Sequence, residues 1–357
     1  VTVSEENAAN VVYLMMLKRF ATFSLLFVSL YFTSCRKDRV VNTSFYYWKT
    51  VYANNATETK YFQALKSKKL YVRIMDVDQG DNGPVPVSPI TFKAILPDSV
   101  ELIPVVFIVN NVLKDQTPRQ LDDLAGKLVY YVNGRIKRSS KSSYNELQID
   151  CDWTRSTRDN YFYLLKRIRS NANLKNKRLS ATLRLHQLKN QVSNGIPPVD
   201  RVMLMCYNMG NLRKYGSQNS ILEQDELEKY AGNNLAKYAI PVDIGLPIFS
   251  WSVVFRKKQY AGIAKRLNRD DFSDQQIFKA TGSNIYTLQK DLPEYGLLRG
   301  DEIRSEELSS TQLRSAADYI QKHLSSDTVN IIYFHLDELT LKHYTYEDLE
   351  QTAGIFR

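Results

Sequence analysis

The sequence predicts an α/β chain folded as a (β/α)8 TIM barrel with an insertion after the seventh strand. Three observations predict it. Short apolar runs alternate with helical patterns, which implies a parallel sheet covered by helices. Eight such runs occur, the number that closes a barrel. The stretch after the first run, Tyr52-Ala-Asn-Asn-Ala56, lacks the glycine-rich turn expected of a doubly wound open sheet.

In chain order the expected strands are Phe45–Val51, Leu70–Val77, Leu102–Val109, Glu146–Cys151, Leu179–Leu185, Val202–Tyr207, Asp243–Ser250 and Val329–Leu336. Helical patterns fall at Thr59–Lys66, Pro118–Asn133, Arg158–Ala172, Ser220–Tyr238 and Ser310–Leu324. In one of them Tyr161, Leu164, Leu165 and Ile168 share a single face. Gly80–Pro89, rich in Gly and Pro, reads as a βα loop, and Arg256–Glu307 as the insertion.

Composition excludes wholesale disorder: 43% of residues are hydrophobic and 24% charged. Lys plus Arg number 48 against 38 Asp plus Glu, and the resulting +10 suits an anionic partner or surface. Three cysteines, Cys35, Cys151 and Cys206, are too few for a disulfide framework and lack zinc-site spacing.

The front of the chain carries an address. Lys18 and Arg19 precede the apolar run 20–32, which ends in Thr33-Ser34-Cys35. The run is too short for a stable membrane span and has the layout of a secretory signal. Its end resembles a bacterial lipoprotein signal, which implies that Cys35 is lipidated and becomes the mature N-terminus. Residues 1–35 are therefore read as an upstream segment with a signal peptide, and 36–357 as one barrel domain. The expected location is the cell envelope, lipid-anchored to a bacterial membrane and facing periplasm or exterior.

Alternate residues of a barrel strand point inward. In Glu146–Asp152, Leu147, Ile149 and Cys151 share one face, which sends Gln148, Asp150 and Asp152 into the barrel at its carboxyl end. Barrel enzymes assemble their sites at that end. The same test groups Thr182, Arg184 and His186; Met203, Met205 and Tyr207; and Tyr333, His335 and Asp337. On the second strand it sets Arg73 opposite Asp76 and Asp78. Buried charges cost several kcal/mol unless paired, so the cluster is either a structural lattice or a polar ligand site.

Two strand-end motifs resemble family 18 glycoside hydrolases, the chitinase-type barrels. That family ends its fourth strand in Asp-x-Asp-x-Glu, and Asp150-Cys-Asp152-Trp-Thr154 matches the two aspartates. It ends its sixth strand in Met-x-Tyr-Asp or Met-x-Tyr-Asn, and Met205-Cys-Tyr207-Asn208 fits. The mature chain also resembles lipoproteins of Bacteroidetes-type bacteria. The resemblance implies a glycan ligand, but Thr154 stands where the family has its general acid. A hydroxyl is far too weak an acid to protonate a glycosidic oxygen at neutral pH. The family's eighth-strand tryptophan is also missing, with Tyr333-Phe-His335 in its place.

If the chain is a hydrolase, another carboxylate pair is required, and Asp152 with Asp337 or Asp78 is the candidate. Asp150, Asp152 and Asp337 are thus the candidate catalytic residues. Asp76, Asp78, Trp153, Arg184, His186, Tyr207, Asn208, Trp251 and His335 are candidates for binding substrate. Trp48, Trp153 and Trp251 fall near strand ends, where rings could stack on sugars or simply complete the core. Asp150, Asp152, His186 and His335 show no diagnostic metal spacing, and neither Gly-x-Ser-x-Gly nor a phosphate loop occurs. No cofactor, metal or nucleic-acid partner is expected. The basic run Arg135–Lys141 reads as a solvated loop or helix end. Two functions remain: a glycoside hydrolase with altered catalytic residues, or a non-catalytic carbohydrate-binding or scaffold protein on the same barrel.

Overall fold

The computed structural model describes residues 39–267 and 269–357; the expected signal and Cys35 lie outside the described residues. No described helix is long and apolar enough to cross a membrane.

Eight parallel strands form the barrel: β1 Val40–Tyr47, β2 Lys69–Gly80, β3 Glu101–Ile108, β4 Glu146–Asp150, β5 Arg178–Arg184, β6 Arg201–Met205, β7 Val242–Pro247 and β8 Thr328–Phe334. Each pairs with the next, and β1 closes the ring by pairing with both β8 and β2. Leu147, Ile149, Leu179, Leu183, Val202 and Leu204 point outward and are fully buried. They pack with helices Pro118–Arg138, Arg158–Arg169 and Ser310–Lys322 in one large core that also holds Leu128, Leu164, Leu165 and Ile320. Each such side chain contributes about 1.5–3 kcal/mol by leaving water. Thr117 and Ser309 start two of these helices with capping boxes to Gln120 and Gln312, a signal visible in sequence.

Several boundaries differ from expectation. β1 begins at Val40, because the polar Asn42 and Ser44 occupy the inward face they share with Tyr46. The expected helix over Ser220–Tyr238 is two short ones, Gln224–Tyr230 and Gly232–Ala236. Gly232, at φ +34°, marks the break. Gly80–Pro89 is no loop. β2 runs to Gly80, turns at Asp81-Asn82 and returns as the antiparallel strand Gly83–Val87. Pro84 and Pro86 cost no ladder bonds here, because this strand is an edge.

After β7 the chain builds a five-stranded antiparallel sheet from Trp251–Arg256, Gln259–Ile263, Phe278–Ala280, Ile285–Leu288 and Glu302–Glu306. It has its own core, in which Phe272 stacks on Tyr286 at 4.4 Å. Arg304 and Glu306 tie this sheet to the loop after β6. Arg304 is wholly buried, donates to Glu306 at 2.6 Å and reaches the carbonyls of Leu212, Lys214 and Gly216. Glu306 accepts from the backbone and hydroxyl of Ser220, both at 2.6 Å.

The barrel interior is polar at its amino end. The Ser180 hydroxyl donates to Glu146 at 2.6 Å, Arg201 pairs with Asp243, and Asp243 also accepts the Asn330 N–H at 2.8 Å. Arg201 offsets Asp243, and Arg178, 3.4 Å away, offsets Glu146, as in a structural lattice.

Candidate functional site at the barrel mouth

A pocket opens at the carboxyl end of the strands. Tyr46 and Trp48 come from β1 and its end, Phe107 from β3, Asp150 and Asp152 from β4, and Thr182 and Arg184 from β5. Met203, Met205, Tyr207 and Asn208 line it from β6, and Phe334 from β8. It encloses about 190 Å³, the space of about six waters and on the order of one monosaccharide unit.

One side is aromatic. Trp48 lies 5.7 Å from Tyr46 and 5.4 Å from Phe334, and Phe334 lies 5.3 Å from Tyr207. Phe249 packs edge-on against Tyr207 from behind. Gly245, on β7, leaves the room this packing needs. A Cβ there would stand 2.5 Å from the Met203 sulfur and 3.2 Å from the Tyr207 ring. Gly245→Ala is therefore expected to cost about 1–3 kcal/mol by overpacking, read as a lower urea midpoint, and to weaken any ligand that touches Tyr207.

The other side is ionic. Arg184 Nη1 pairs with Asp152 at 2.7 Å, and its Nη2 donates to the Asn208 carbonyl at 3.2 Å. Asn208 adopts a left-handed φ of +55°, which turns the chain over the mouth. Asp150 sits deeper and accepts the Thr182 hydroxyl at 2.6 Å. Burial, with the Asp152 and Asp76 charges, pushes its pKa up to about 7, against the opposing Thr182 bond and Arg184. Beneath it the Tyr46 hydroxyl donates to Gln148, whose amide reaches Ser180.

The structure brings together Asp150, Asp152, Arg184, Tyr207 and Asn208 from the sequence candidates. Others lie elsewhere. Trp153 continues the outward face of β4; it is fully buried, stacks on Tyr161 at 5.0 Å and donates its indole N–H to Asn194. It is core, closed to any ligand. Trp251 spends its N–H on Glu306 at 2.9 Å and braces Phe249 rather than lining the pocket. His186 is exposed on the short helix Leu185–Lys189, because β5 ends at Arg184 and strand parity stops there.

On β8 the two faces are the reverse of those expected. Ile332 packs inside the barrel with Phe334, while Tyr333 points outward to the Leu349 carbonyl. Apolar residues fill the barrel as well as surround it, so polarity alone misleads. Asp337 consequently leaves the mouth. It accepts the Leu339 N–H at 3.0 Å as a helix cap and pairs with Lys49 at 3.3 Å. His335 stands beside that pair, its pKa lowered to about 4 by burial.

On β2 a bulge decides the faces. Arg73 pairs with Val105, but the next partners are Met75 with Val106 and Asp76 with Phe107. One extra residue turns Asp76 to the same side as Arg73. The two form a bidentate pair, its Nε bond at 2.6 Å, with Arg73 over the Trp48 ring at 5.8 Å. Asp78 is exposed and accepts the Gln79 N–H at 2.8 Å. Thr154 is exposed in a turn with Ser156 and Thr157. No His, Cys, Asp and Glu cluster able to hold a metal occurs among the described residues.

Sequence reasoning missed Tyr46, Phe107 and Phe334 as lining residues and left Trp48 undecided. Tyr46 and Trp48 carried a signal, since their two-residue spacing at a strand end places both on one face.

No protein-family model matches the sequence, and no curated protein matches it. Solved structures do match. The spore cortex-lytic enzyme SleL of Bacillus cereus superposes with a TM-score of 0.54 at 11% identity, covering 89% of this chain and 75% of that one. A family 18 N-acetylglucosaminidase from Paenibacillus barengoltzii gives 0.53 at 12%, covering 88% and 100%. Catalytic domain 2 of the Ostrinia furnacalis Group II chitinase gives 0.52 at 12%, covering 89% and 96%. At such identities the likeness is one of fold.

Proposed function

On a barrel that has the fold of family 18 glycoside hydrolases, we propose a glycan-binding site at the mouth that does not cleave by the chitinase route. The carrying observation is the state of the acids. Thr154 is exposed and cannot donate a proton, Asp152 is held by Arg184, and Asp337 is spent on Lys49 and a helix end. What remains suits recognition. Trp48 and Phe334 supply apolar ring faces, while Asp152, Arg184 and Tyr207 supply acceptors and donors for hydroxyl groups. The chain would work at a bacterial envelope, held there by a lipid on Cys35.

Oligosaccharides containing N-acetylglucosamine are the first ligands to test, since one neighbour is an N-acetylglucosaminidase. Calorimetric titration should show binding by the intact protein. Trp48→Ala should weaken it roughly 10- to 100-fold, the worth of one stacked aromatic anchor. Binding without new reducing ends supports this reading, and no glycan binding at all sinks it.

A second reading has one observation in its favour: Asp150, with a pKa near 7, is partly protonated at neutral pH beside the Arg184-paired Asp152. Such pairs serve as acid and base in hydrolases. Release of sugar that is lost in both Asp150→Asn and Asp152→Asn would replace the binding reading with this one.

A further inference from the structure

All eight barrel strands run the same way, so their amino ends gather at one end of the molecule. The long helices run back antiparallel to the strands, which puts their last turns at that same end. The last turn of Pro118–Arg138 carries Arg135, Lys137 and Arg138, and that of Arg158–Arg169 carries Lys166, Arg167 and Arg169. Lys66 and Lys68 lie just before β2, and Lys175 just before β5.

Lys66, Lys68, Lys137, Arg138, Lys166 and Lys175 are all exposed. None is in a salt bridge among the described residues, unlike Arg167, paired with Asp122, and Arg169, paired with Asp200. Acidic groups on this arc are few; Asp98 and Glu101 precede and open β3. Residues 135–178 hold twelve Lys and Arg against four Asp and Glu. The inserted region 251–307, by contrast, is nearly balanced, with ten against nine. Three of the four acids in 135–178, Asp150, Asp152 and Asp159, lie toward the mouth, so most of the positive excess falls on the helix ends and loops at the amino end of the barrel.

The chain also enters the barrel at this end. Arg39 pins the entrance by donating to the carbonyls of Ser326, Leu324 and Phe356 before β1 begins at Val40. Cys35 precedes Val40 by only five residues, about 17 Å of fully extended chain.

We propose that this basic end is a docking surface for anionic phospholipid headgroups, which seats the barrel on a membrane with its mouth directed away. The orientation rests on the reading of Cys35 as the lipid site; the headgroup affinity does not. A tether that short leaves little freedom to present another face. Lysines and arginines near an anionic bilayer each strengthen binding about fivefold, and salt weakens the effect. The mouth then stands about 20 Å above the headgroups, the rise of an eight-residue strand tilted about 36° to the barrel axis, where polymeric glycan can reach it.

The test uses the full chain with Cys35→Ser, which removes the lipid site; residues 1–34 are the same in every variant, so differences among the variants report the surface. Sedimentation with phosphatidylcholine vesicles should be weak, and phosphatidylglycerol-containing vesicles should bind at low salt and release at high salt. Lys137→Gln/Arg138→Gln/Lys175→Gln should weaken binding on the order of 100-fold. Lys137→Glu/Arg138→Glu/Lys175→Glu should abolish it. The equal charge change Lys265→Glu/Lys279→Glu/Lys290→Glu, in the insertion, should leave it near wild type. Thermal unfolding of each variant identifies any that fails to fold, and the Gln and Glu sets give two separate chances to read the patch. Equal loss in the insertion variant, or no preference for anionic vesicles, overturns the proposal. So does binding of a soluble acidic polysaccharide to the patch while vesicles remain unbound. Acylation of Cys35 in cells is scored separately by mass spectrometry. Its absence, with vesicle binding intact, removes the anchor and leaves the docking surface standing.

Discussion

Arg304→Met is expected to cost the protein about 3–5 kcal/mol, read as a large drop in urea midpoint. The side chain is wholly buried, and its guanidinium satisfies Glu306 and three loop carbonyls at once. Removing it leaves a carboxylate without its countercharge in a low-dielectric site, which costs far more than an exposed pair is worth. Glu306 would still hold Ser220 and the Trp251 indole, but those bonds now carry an uncompensated charge. The double variant Arg304→Met/Glu306→Gln should recover part of the loss, because no net charge is then buried. A loss below about 1 kcal/mol in the single variant would mean that the insertion is not tied to the β6 loop in this way. Glycan affinity should fall as well, since that loop carries Tyr207 and Asn208, which line the pocket.

Asp150→Asn should have the opposite sign, stabilising the protein, and only above acidic pH. Folded Asp150 keeps its proton up to about pH 7, whereas the unfolded side chain releases it at about 3.9. Between those values the folded state binds a proton that the unfolded state has lost, so the contribution of Asp150 to stability declines as pH rises. The full decline reaches about 4 kcal/mol by pH 8, because each pH unit between the two titrations costs about 1.36 kcal/mol. Asparagine carries no charge to desolvate and still accepts from Thr182. Urea midpoints of the two proteins should therefore be similar at pH 4 and diverge steadily toward pH 8, with the variant higher. A constant difference across that range would refute the buried-carboxyl account. A carboxyl kept at such a cost is what a ligand site retains against stability.

Much of this site was legible in sequence because strand parity is local. Leu147, Ile149 and Cys151 had to face the helices, so Asp150 and Asp152 had to face the barrel, and they do. Arg184 follows from the same count on β5. Parity failed where a non-local fact intervened. The bulge between Arg73 and Met75 exists only in the pairing of β2 with β3. β5 ends at Arg184 and hands His186 to a helix. On β8, apolar and polar alternation were both compatible with a barrel, and packing against Tyr46, Trp48 and Tyr207 selected Phe334 for the inside.

The residues alone determined the number and direction of the strands, the rim at which acids collect, and the excess of positive charge. Those properties are sums over local periodicity and composition. Which acid keeps its proton, which is neutralised by Arg184, and which tryptophan stays open to a ligand were decided only by the closed barrel. Each depends on a partner tens of residues away, on a register that one extra residue shifts, and on how much water the surrounding walls exclude.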